Sequence, residues 1–596
     1  MGSDRSESQT HARRTVGIGD LVTHLPAMAP DLPAMARGGV GLLLRKPTAR
    51  ESIGHIFQRV AASRPERPFI VFEGDTLTYG DANDRVNRYA HAFEDLGVGR
   101  GDVVGILAKN CPETLLLALA AVKLGASAGM LNHNQRGDVL AHSLSLLDAR
   151  VVVVADDCRE ATASLKSEPA GAISLDDLDD LAAKQDAGDP AVTATIQAKE
   201  RAFHIFTSGT TGMPKASLMT HFRWLKSMSG LGALGVRLRR DDVLYCSLPL
   251  YHNNALTVTL SSVLSSGAAI AIGRQFSASR FWDDVRRNGA TGFTYIGELC
   301  RYLLNQPERP DDADNPVRLM VGNGLRAEIW HEFVDRFAID RVAEFYGASE
   351  CNIAFVNAFD IDRTAGLCPL PHAVVEYDDE SGEPKRHSDG RLRKVGRGEV
   401  GLLLSKVTDR APFDGYTDRK ATDDKLVRDA FKGGDCWFDT GDLVRRQGWF
   451  HVAFVDRLGD TFRWKGENVA TTEVEGAVGA HPAIEEAVVY GVEIPGTDGR
   501  AGMAAVTLRD GHEFDGKHLA DFLGDRLPSY AVPLFVRVVE SLEATSTFKS
   551  KKVELRKEGY ELGGDDQQTV RVLGDGDEGY REWYDGYADD VAGRKR

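Results

Sequence analysis

Short aliphatic runs alternate with stretches of helical spacing from Ile53 to about residue 458, and this alternation limits the possible folds more than any other feature of the chain. Residues 81–96 place apolar side chains at helical spacing. The runs typical of buried strands are 102–107, 151–155, 243–247, 268–272 and 317–321. Strands that alternate with helices form layered α/β folds with substantially parallel sheets. We therefore predict an α/β fold, with a large N-terminal domain of packed sub-domains that contain mainly parallel sheets.

The pattern changes after residue 458, where shorter segments and turns replace the long alternation. We predict a large domain over residues 51–458 and a small α+β domain over residues 459–562. The acidic stretch 563–596 contains few strongly apolar runs, and we predict that it is a C-terminal tail.

The first 50 residues are predicted to form an N-terminal extension, because they mix prolines with glycines and end in a basic run. A flexible or surface-lying segment is the favoured interpretation. The alternative is an interfacial contact with a membrane through Leu42 to Leu44, with Arg37, Arg45 and Lys46 as neighbouring basic residues. That alternative predicts a peripheral position at the inner membrane face.

The charge and the cysteines limit the partners and the compartment. The 88 acidic and 72 basic residues give a formal net charge of −16, which argues against a nucleic-acid-binding protein, because such proteins have a basic excess. The seven cysteines show no paired spacing, so we expect reduced thiols and a cytoplasmic protein. The longest apolar run, Leu115 to Val122, is far shorter than the roughly 20 residues that span a bilayer.

Residues 203–215 combine a short apolar run, a loop of hydroxyls and glycines, and a lysine. Glycines let backbone N–H groups approach an anion closely, and Ser208, Thr210 and Thr211 add neutral donors. Lys215 adds a positive charge. The segment therefore predicts a polyphosphate site, although it is not a Walker A loop, because proline rather than glycine precedes the lysine.

The string from Thr207 to Lys215 resembles the phosphate-binding signature of the adenylate-forming superfamily, which includes acyl-CoA synthetases, luciferases and the adenylation domains of peptide synthetases. Its members activate a carboxylate with ATP to form acyl-AMP and pyrophosphate, and most then transfer the acyl group to a thiol. The resemblance implies a catalytic role for Thr207. It also implies a set of ATP-binding residues, namely Thr207, Ser208, Gly209, Thr210, Thr211, Gly212 and Lys215.

Tyr346-Gly347-Ala348-Ser349-Glu350 resembles a second motif of the superfamily, with serine in place of threonine. By this resemblance Tyr346 stacks on adenine, Ser349 bonds the α-phosphate and Glu350 holds Mg²⁺, while Gly347 belongs to the same nucleotide-binding set. An aromatic face suits a base, a hydroxyl suits a phosphoryl oxygen and a carboxylate suits a hard cation.

Further matches imply the rest of the site. Gly322-Asn323-Gly324 resembles the loop that lines adenine, and Asp442 resembles the aspartate that accepts hydrogen bonds from both ribose hydroxyls. Arg457 matches the arginine that contacts ribose and phosphate. His252 lies in a segment similar to the one that borders the acyl site, so a catalytic role is predicted for it, with a packed structural histidine as the alternative.

Residues 456–469 are similar to the branch of the superfamily that contains fatty-acid transport proteins and very-long-chain acyl-CoA synthetases. Gly459 lies where the family hinges between its large domain and its mobile small domain, and a glycine absorbs a large backbone rotation at little steric cost. Lys549 lies in the place of the C-terminal catalytic lysine, although the neighbouring Lys551 and Lys552 make this assignment depend on register.

The resemblance implies a long-chain or very-long-chain fatty acyl-CoA synthetase, with fatty acid, ATP and coenzyme A as substrates and Mg²⁺ as the cofactor. Lys549 would bridge the carboxylate and the α-phosphate, and the small domain would then rotate about Gly459 to admit the thiol. Three alternatives remain: a fatty acyl-AMP ligase that feeds a carrier protein, fatty-acid uptake through trapping as acyl-CoA, and a catalytically inactive binding module. The sequence leaves the chain-length preference and the oligomeric state open.

Overall fold

The computed structural model describes residues 15–593 except 208–213, 328, 348–350, 379–381, 416–418, 465–466, 496, 498, 543–551 and 575–577. Its first α-helices are α1 (Ile18–Met28), α2 (Leu32–Leu44), α3 (Ile53–Ser63), α4 (Tyr79–Asp95), α5 (Pro112–Lys123), α6 (Gly137–Leu147), α7 (Arg159–Ala163), α8 (Leu175–Ala182) and α9 (His221–Ser227). They are followed by α10 (Leu260–Ser266), α11 (Phe281–Arg287), α12 (Gly297–Leu304), α13 (Trp330–Arg336), α14 (Arg419–Asp423), α15 (Thr471–Gly479), α16 (Gly516–Gly524), α17 (Lys552–Glu558) and α18 (Tyr587–Gly593). Two π-helical segments span Met228–Val236 and Asn254–Thr259.

The large N-terminal domain contains a fourteen-stranded and a six-stranded sheet. The fourteen-stranded sheet begins with β1 (Pro68–Phe72) and β2 (Asp75–Thr78). The six-stranded sheet consists of β3 (Val103–Leu107), β4 (Ser127–Met130), β5 (Val151–Val154), β6 (Ala172–Ser174), β7 (Arg201–Thr207) and β8 (Lys215–Thr220). The other strands of the first sheet are β9 (Val243–Cys246), β10 (Ala269–Ile272), β11 (Gly292–Ile296), β12 (Leu319–Asn323), β13 (Arg341–Tyr346), β14 (Phe355–Val356), β15 (Gly366–Leu367), β16 (His372–Val375), β17 (Val400–Lys406), β18 (Leu426–Arg428), β19 (Cys436–Gly448) and β20 (His451–Arg457).

The predicted α/β class with mainly parallel sheets is confirmed for the body of this domain. In the six-stranded sheet β6, β5, β3, β4 and β7 are parallel and only β8 is antiparallel to its neighbour. In the larger sheet β1, β10, β9, β11, β12 and β13 pair in parallel, whereas the pairings from β14 to β20 are antiparallel. The apolar run from Leu115 to Val122 is α5, a helix buried against α3, α4 and the second sheet.

The small C-terminal domain has an α+β arrangement. A two-stranded hairpin, β21 (Phe462–Trp464) and β22 (Glu467–Val469), precedes its main sheet. The five strands of that sheet, adjacent in chain order, are β23 (Ile484–Glu493), β24 (Arg500–Leu508), β25 (Phe535–Val538), β26 (Val570–Leu573) and β27 (Tyr580–Glu582). Only the β24–β25 pair is parallel.

The prediction of an acidic C-terminal tail over residues 563–596 is wrong for the described part of that segment. β26 and β27 extend the small sheet beyond β25, and Tyr587 of α18 is fully buried. Tyr580 donates a hydrogen bond from its hydroxyl to the Pro533 carbonyl at 2.7 Å. Acidic residues dominate the composition here, but the apolar side chains between them complete the core of the small domain.

The described part of the N-terminal extension, residues 15–50, lies on the surface of the large domain and is mostly helical. α1 and α2 lie on the large domain, and α2 packs on the π-helical segment Met228–Val236. A Cβ at Gly38 would lie 2.6 Å from the Ser229 carbonyl oxygen, and one at Gly41 would lie 2.5 Å from the Ser229 hydroxyl. These two glycines therefore permit close helix packing. Of the helices that the structure describes, none has the length and apolar composition needed to cross a membrane.

Candidate active site

The strands β12 and β13 are parallel neighbours, and the predicted adenine residues lie at their carboxyl ends. Gly322 and Asn323 end β12, Gly324 follows directly, and Tyr346 ends β13. Ligands of open α/β sheets bind in the crevice beyond the carboxyl ends of the strands. The structure thus brings two separate sequence motifs together at one edge of the large sheet.

Tyr346 also contacts the predicted ribose residue, Asp442 of β19. The Tyr346 hydroxyl donates a hydrogen bond to Asp442 Oδ2 at 2.5 Å, and both side chains are less than one-tenth exposed. Burial, followed by the negative charge of Asp442, raises the pKa of Tyr346 well above its usual range. The phenol therefore stays protonated and acts as a donor to the carboxylate.

Arg457 lies directly opposite Asp442 in the β19–β20 register, with its Nε 3.6 Å from Asp442 Oδ1. The Arg457 side chain is 60% exposed, so this ion pair is screened by water and adds little stability. Its guanidinium is nonetheless held beside the carboxylate by the strand pair. A carboxylate with two acceptor oxygens next to an exposed guanidinium suits a ribose that bears a phosphate.

The loop Gly322-Asn323-Gly324 is held by Glu344, a residue that the sequence motifs do not include. Glu344 Oε1 accepts a hydrogen bond from the Gly324 N–H at 2.6 Å, and its other oxygen accepts the hydroxyl hydrogen of Tyr295. Glycine is required at two points of this contact. A Cβ at Gly322 would lie 2.2 Å from the Tyr295 carbonyl oxygen, and Gly324 has a φ of +83°.

Glu344→Gln tests the electrostatics of this support. Burial raises the pKa of Glu344 to about 8 from its ordinary 4.5, although the hydrogen bonds from Tyr295 and Gly324 act in the opposite direction. The folded chain therefore binds the Glu344 proton between those two pH values, where the unfolded chain has released it. Stability contributed by this group consequently falls as the pH rises through that window. Glutamine does not titrate, so we expect a flatter dependence of Tm on pH, measured by thermal denaturation.

Glu332→Gln, at an exposed position on α13, is the matched control for the same measurement and should retain the wild-type slope. Equal slopes for wild type and the Glu344→Gln variant would contradict the proposed titration of Glu344.

The two ends of the predicted phosphate loop lie side by side. Thr207 ends β7, Lys215 begins β8, and the two are register partners in an antiparallel pair. This register places both residues at the same end of the β7–β8 pair, at the edge of the six-stranded sheet. Several predicted site residues lie outside the described residues: Ser208, Gly209, Thr210, Thr211, Gly212, Ser349, Glu350 and Lys549.

The chain on either side of residues 348–350 is anchored by side chains that the sequence motifs do not reveal. Gly347 follows Tyr346 directly, and beyond the motif the Cys351 carbonyl accepts a hydrogen bond from Arg223 Nη2 at 2.9 Å. Asn352 donates from its amide to the carbonyl oxygens of Lys406 and Ala411, at 3.0 and 2.8 Å. Hydrogen bonds thus hold the described chain directly after residues 348–350.

His252 lies just before the π-helical segment Asn254–Thr259, and its ring centroid is 4.5 Å from that of Tyr251. Asn254, two residues later, donates to Asn323 Oδ1 at 3.3 Å. The segment that contains His252 therefore borders the loop Gly322-Asn323-Gly324. The predicted catalytic role of His252 stays a prediction, because proximity to the loop is equally consistent with a packed histidine.

The region around Gly459 joins the two domains. Asp456, at the end of β20, is buried and accepts hydrogen bonds from the Thr471 N–H at 2.6 Å and from the Thr471 hydroxyl at 2.9 Å. Arg556 donates to the Gly459 carbonyl at 2.9 Å. A Cβ at Gly459 would meet no atom within 4 Å. Gly459 is thus a sterically open position between two anchored segments.

An ion-pair network links Arg326, two residues after the loop Gly322-Asn323-Gly324, to the small domain. Arg326 lies 3.3 Å from both Glu298 of α12 and Glu475 of α15. Lys552 Nζ lies 2.8 Å from the other oxygen of Glu475 and donates to the Thr471 hydroxyl at 2.7 Å. Glu475 therefore connects the large domain, through Arg326, with the helix that follows the predicted catalytic lysine.

Glu344 and Asp456 are buried carboxylates next to predicted site residues, and the sequence motifs assigned no role to either of them. Glu344 lies among apolar residues in β13 (Arg341–Tyr346). Asp456 lies near the end of β20 (His451–Arg457), directly after a largely apolar run. A charged residue in a buried strand requires a partner, and that requirement was the available signal.

The chain belongs to the AMP-binding enzyme family. The family model of AMP-binding enzymes matches residues 57–405, and that of the AMP-binding enzyme C-terminal domain matches residues 473–549. This confirms the superfamily that the sequence motifs indicated, and it makes the chain an enzyme of the ATP-dependent, AMP-forming class.

Several relatives are similar along almost the whole chain. The medium/long-chain fatty acid–CoA ligase FadD6 of Mycobacterium tuberculosis is 55% identical over 585 residues, which are 98% of each chain. The long-chain fatty acid transport protein 2 of Rattus norvegicus is 39% identical and covers 89% of this chain and 88% of its own. The human long-chain fatty acid transport protein 1 is 37% identical, with 87% and 84% covered.

Solved structures share the fold. The anthranilate–CoA ligase AuaEII in complex with anthranoyl-AMP has a TM-score of 0.73 at 20% identity, covering 85% of this chain and 97% of its own. ATP-bound MatB from Rhodopseudomonas palustris has a TM-score of 0.70 at 24% identity, covering 85% and 98%. These similarities confirm the large N-terminal and small C-terminal domains.

Proposed function

We propose that this enzyme activates a medium- or long-chain fatty acid with ATP and transfers the acyl group to coenzyme A. The observation that supports the proposal most strongly is the position of Asp442, which is buried between the Tyr346 hydroxyl and Arg457 at the edge of the large sheet. That arrangement suits a nucleotide whose ribose hydroxyls reach a carboxylate. The fatty acid and coenzyme A are inferred from the relative with 55% identity.

In the first step the fatty carboxylate attacks the α-phosphorus of ATP, and pyrophosphate leaves. Positioning and neutralisation of charge dominate such a reaction, because little covalent chemistry falls to the protein. We assign the pyrophosphate to Lys215 and the loop that follows Thr207, the adenosine to Tyr346 and Asp442, and the attacking carboxylate to Lys549. In the second step the thiol of coenzyme A attacks the acyl carbon and AMP leaves.

Glu350 is the residue that we assign to Mg²⁺. A single carboxylate combined with substrate phosphates is a common way for proteins to hold this cation. The chemistry of the surrounding chain fits, because the Cys351 carbonyl and the Asn352 amide anchor the backbone directly after it. When bound, Mg²⁺ would neutralise negative charge on the phosphates.

We also propose that the domain boundary lies near Gly459, with the small domain extending over residues 459–593 and rotating between the two steps. A cytoplasmic position with peripheral contact at the inner membrane face completes the proposal. Long-chain fatty acids partition into bilayers, so an enzyme at that surface meets its substrate at high local concentration.

Pyrophosphate release, measured against fatty acids of increasing length with and without coenzyme A, tests the proposed activity. We expect release to depend on medium or long acyl chains, and acyl-CoA to form when the thiol is present. Accumulation of acyl-AMP without any thioester would favour a ligase that feeds a carrier protein. No pyrophosphate release with any fatty acid would overturn the proposal.

A further inference from the structure

The N-terminal helices expose apolar side chains that a soluble surface normally avoids. Seven residues of α1 and α2 are 48–67% exposed, and together we call them the N-terminal apolar face: Ile18, Val22, Leu25, Leu32, Val40, Leu43 and Leu44. Their spacing places the members within each helix on one side, with i, i+4 and i+7 in α1. Among the large apolar residues that the structure describes, only four others count as exposed, at 37–65%: Val139, Trp449, Phe450 and Phe454.

The face is presented by a firmly attached helix. Leu42 is buried, and Gly38 and Gly41 bring α2 into close contact with Ser229. Arg45 donates to the Leu225 carbonyl at 2.7 Å and pairs with Glu51 at 2.7 Å. Of the residues named in the membrane alternative drawn from the sequence, Leu42 and Arg45 face the protein, whereas Leu43, Leu44, Arg37 and Lys46 are exposed.

The β19–β20 hairpin places two exposed aromatic residues near the start of α1. The Val16 N–H donates to the Gln447 carbonyl at 3.0 Å, and Arg397 donates to the Val16 carbonyl at 2.5 Å. Ile18 follows Val16 by two residues, and Trp449 follows Gln447 by two residues. Consecutive Cα atoms are about 3.8 Å apart. The Cα atoms of Ile18 and Trp449 therefore each lie within roughly 8 Å of a residue that forms the Val16–Gln447 hydrogen bond.

The turn itself is strained in a way that favours a role for its side chains. Trp449 and Phe450 both have positive φ, at 49° and 61°. Two-residue hairpin turns of this type prefer Asn-Gly, because bulky residues are disfavoured in the left-handed region. A tryptophan and a phenylalanine at the tip cost stability and remain exposed. Tryptophan is enriched where proteins meet the interface between lipid and water.

Local charge distinguishes this surface from the rest of the chain. Residues 15–50 contain four basic and two acidic residues, whereas the whole chain has a formal charge of −16. Both acidic side chains are engaged: Asp20 accepts the Gly17 N–H at 2.7 Å, and Asp31 pairs with Arg237 at 3.2 Å. The exposed Arg37, Lys46 and Arg50 are therefore available to an anionic partner.

We infer that the N-terminal apolar face and the Trp449–Phe450 turn form one docking surface for an anionic lipid bilayer. The thirteen residues of α2 measure about 20 Å, too short to span a bilayer of roughly 30 Å, so the helix lies in the interface with its apolar side chains in lipid. A second copy of the chain fits less well, because the exposed Arg37, Lys46 and Arg50 of this surface would then meet a surface with the same basic charges. The biological purpose of this surface rests on the proposed function, because the bilayer is where fatty-acid substrates partition.

Co-sedimentation with vesicles tests this surface. We expect the full chain to bind vesicles of phosphatidylcholine with phosphatidylglycerol more strongly than vesicles of phosphatidylcholine alone, and less strongly at high salt. Val40→Asp/Leu44→Asp places two charges in the apolar face and should weaken binding by at least about tenfold. Trp449→Ser should weaken it by a smaller factor.

Val139→Asp, at an exposed apolar position on α6, is the matched control and should bind as the wild type does. Thermal denaturation and pyrophosphate release with a medium-chain fatty acid, in the absence of vesicles, verify that each variant is folded and active. Equal vesicle binding by the wild type and the double variant overturns the inference, as does absence of binding by the wild type. A wild-type dimer that the double variant dissociates, without lipid binding, assigns the surface to a second copy instead. Vesicle binding does not depend on catalysis. A failure of the proposed activity can therefore be distinguished from a failure of the proposed docking surface.

Discussion

Lys549→Ala is expected to reduce formation of acyl-AMP by about 100- to 1,000-fold, because loss of one positioned charge at a developing anion typically has an effect of this size. The variant should still convert supplied acyl-AMP and coenzyme A into acyl-CoA at close to the wild-type rate, since the lysine leaves the site before the second step. Pyrophosphate release measures the first half-reaction, and thioester formation from synthetic acyl-AMP measures the second.

Lys551→Ala is the matched control, because it removes the same charge two residues away and should leave both half-reactions within about twofold of wild type. Lys552 is unsuitable as a control, since its ammonium group binds Thr471 and Glu475 at the domain junction. Equal losses in the two half-reactions of Lys549→Ala would contradict the assignment. A large loss of acyl-AMP formation in Lys551→Ala would instead assign the catalytic role to Lys551, two residues further along the motif.

Asp442→Asn should lower kcat/KM for ATP by about 100-fold, because hydrogen bonds from two hydroxyls to a charged acceptor are weakened together. The same variant should lose the ability to discriminate ATP from 2′-deoxy-ATP, whereas the wild type should prefer ATP. That second readout separates ribose recognition from a general structural effect. Steady-state pyrophosphate release with each nucleotide provides both measurements.

Tyr346→Phe is the paired control for Asp442→Asn. It removes the hydroxyl that donates to Asp442 at 2.5 Å but keeps the aromatic ring that we assign to adenine. We expect kcat/KM for ATP to stay within about threefold of wild type, with discrimination against 2′-deoxy-ATP intact. A loss as large as that of Asp442→Asn would mean that the Tyr346–Asp442 hydrogen bond, and not ribose binding, is the important contact.

The sequence predicted the regular part of the fold well, because buried parallel strands are nearly continuous apolar runs. The predicted strand 151–155 is β5 (Val151–Val154), and the predicted helix 81–96 is α4 (Tyr79–Asp95). The meeting of Tyr346 and Asp442 is different, since they lie 96 residues apart and the strands between them are short and antiparallel. Local spacing contains no information on that register, so only the family resemblance predicted a common site.

At both chain ends the sequence analysis left regular secondary structure unpredicted, for identifiable physical reasons. In the N-terminal extension prolines and glycines concealed the helices: Pro33 occupies the first turn of α2, where proline has no N–H to lose, and Pro26 lies within α1. At the other end, the strands β26 and β27 contain only four and three residues, and acidic neighbours conceal their alternation. The period of two at Val570 and Val572 was the signal present.

The position of β26 and β27 matters to anyone who exchanges small domains between enzymes of this family. The family model of the C-terminal domain ends at residue 549, whereas the small sheet continues to Glu582. A chimaera joined at the family boundary would leave the edge of β25 unpaired and remove Tyr560, Tyr580 and Tyr587 from the core. Exposed strand edges recruit other chains, so such a chimaera would be prone to aggregate for reasons unrelated to its catalytic residues. Exchange after residue 593 keeps the sheet whole.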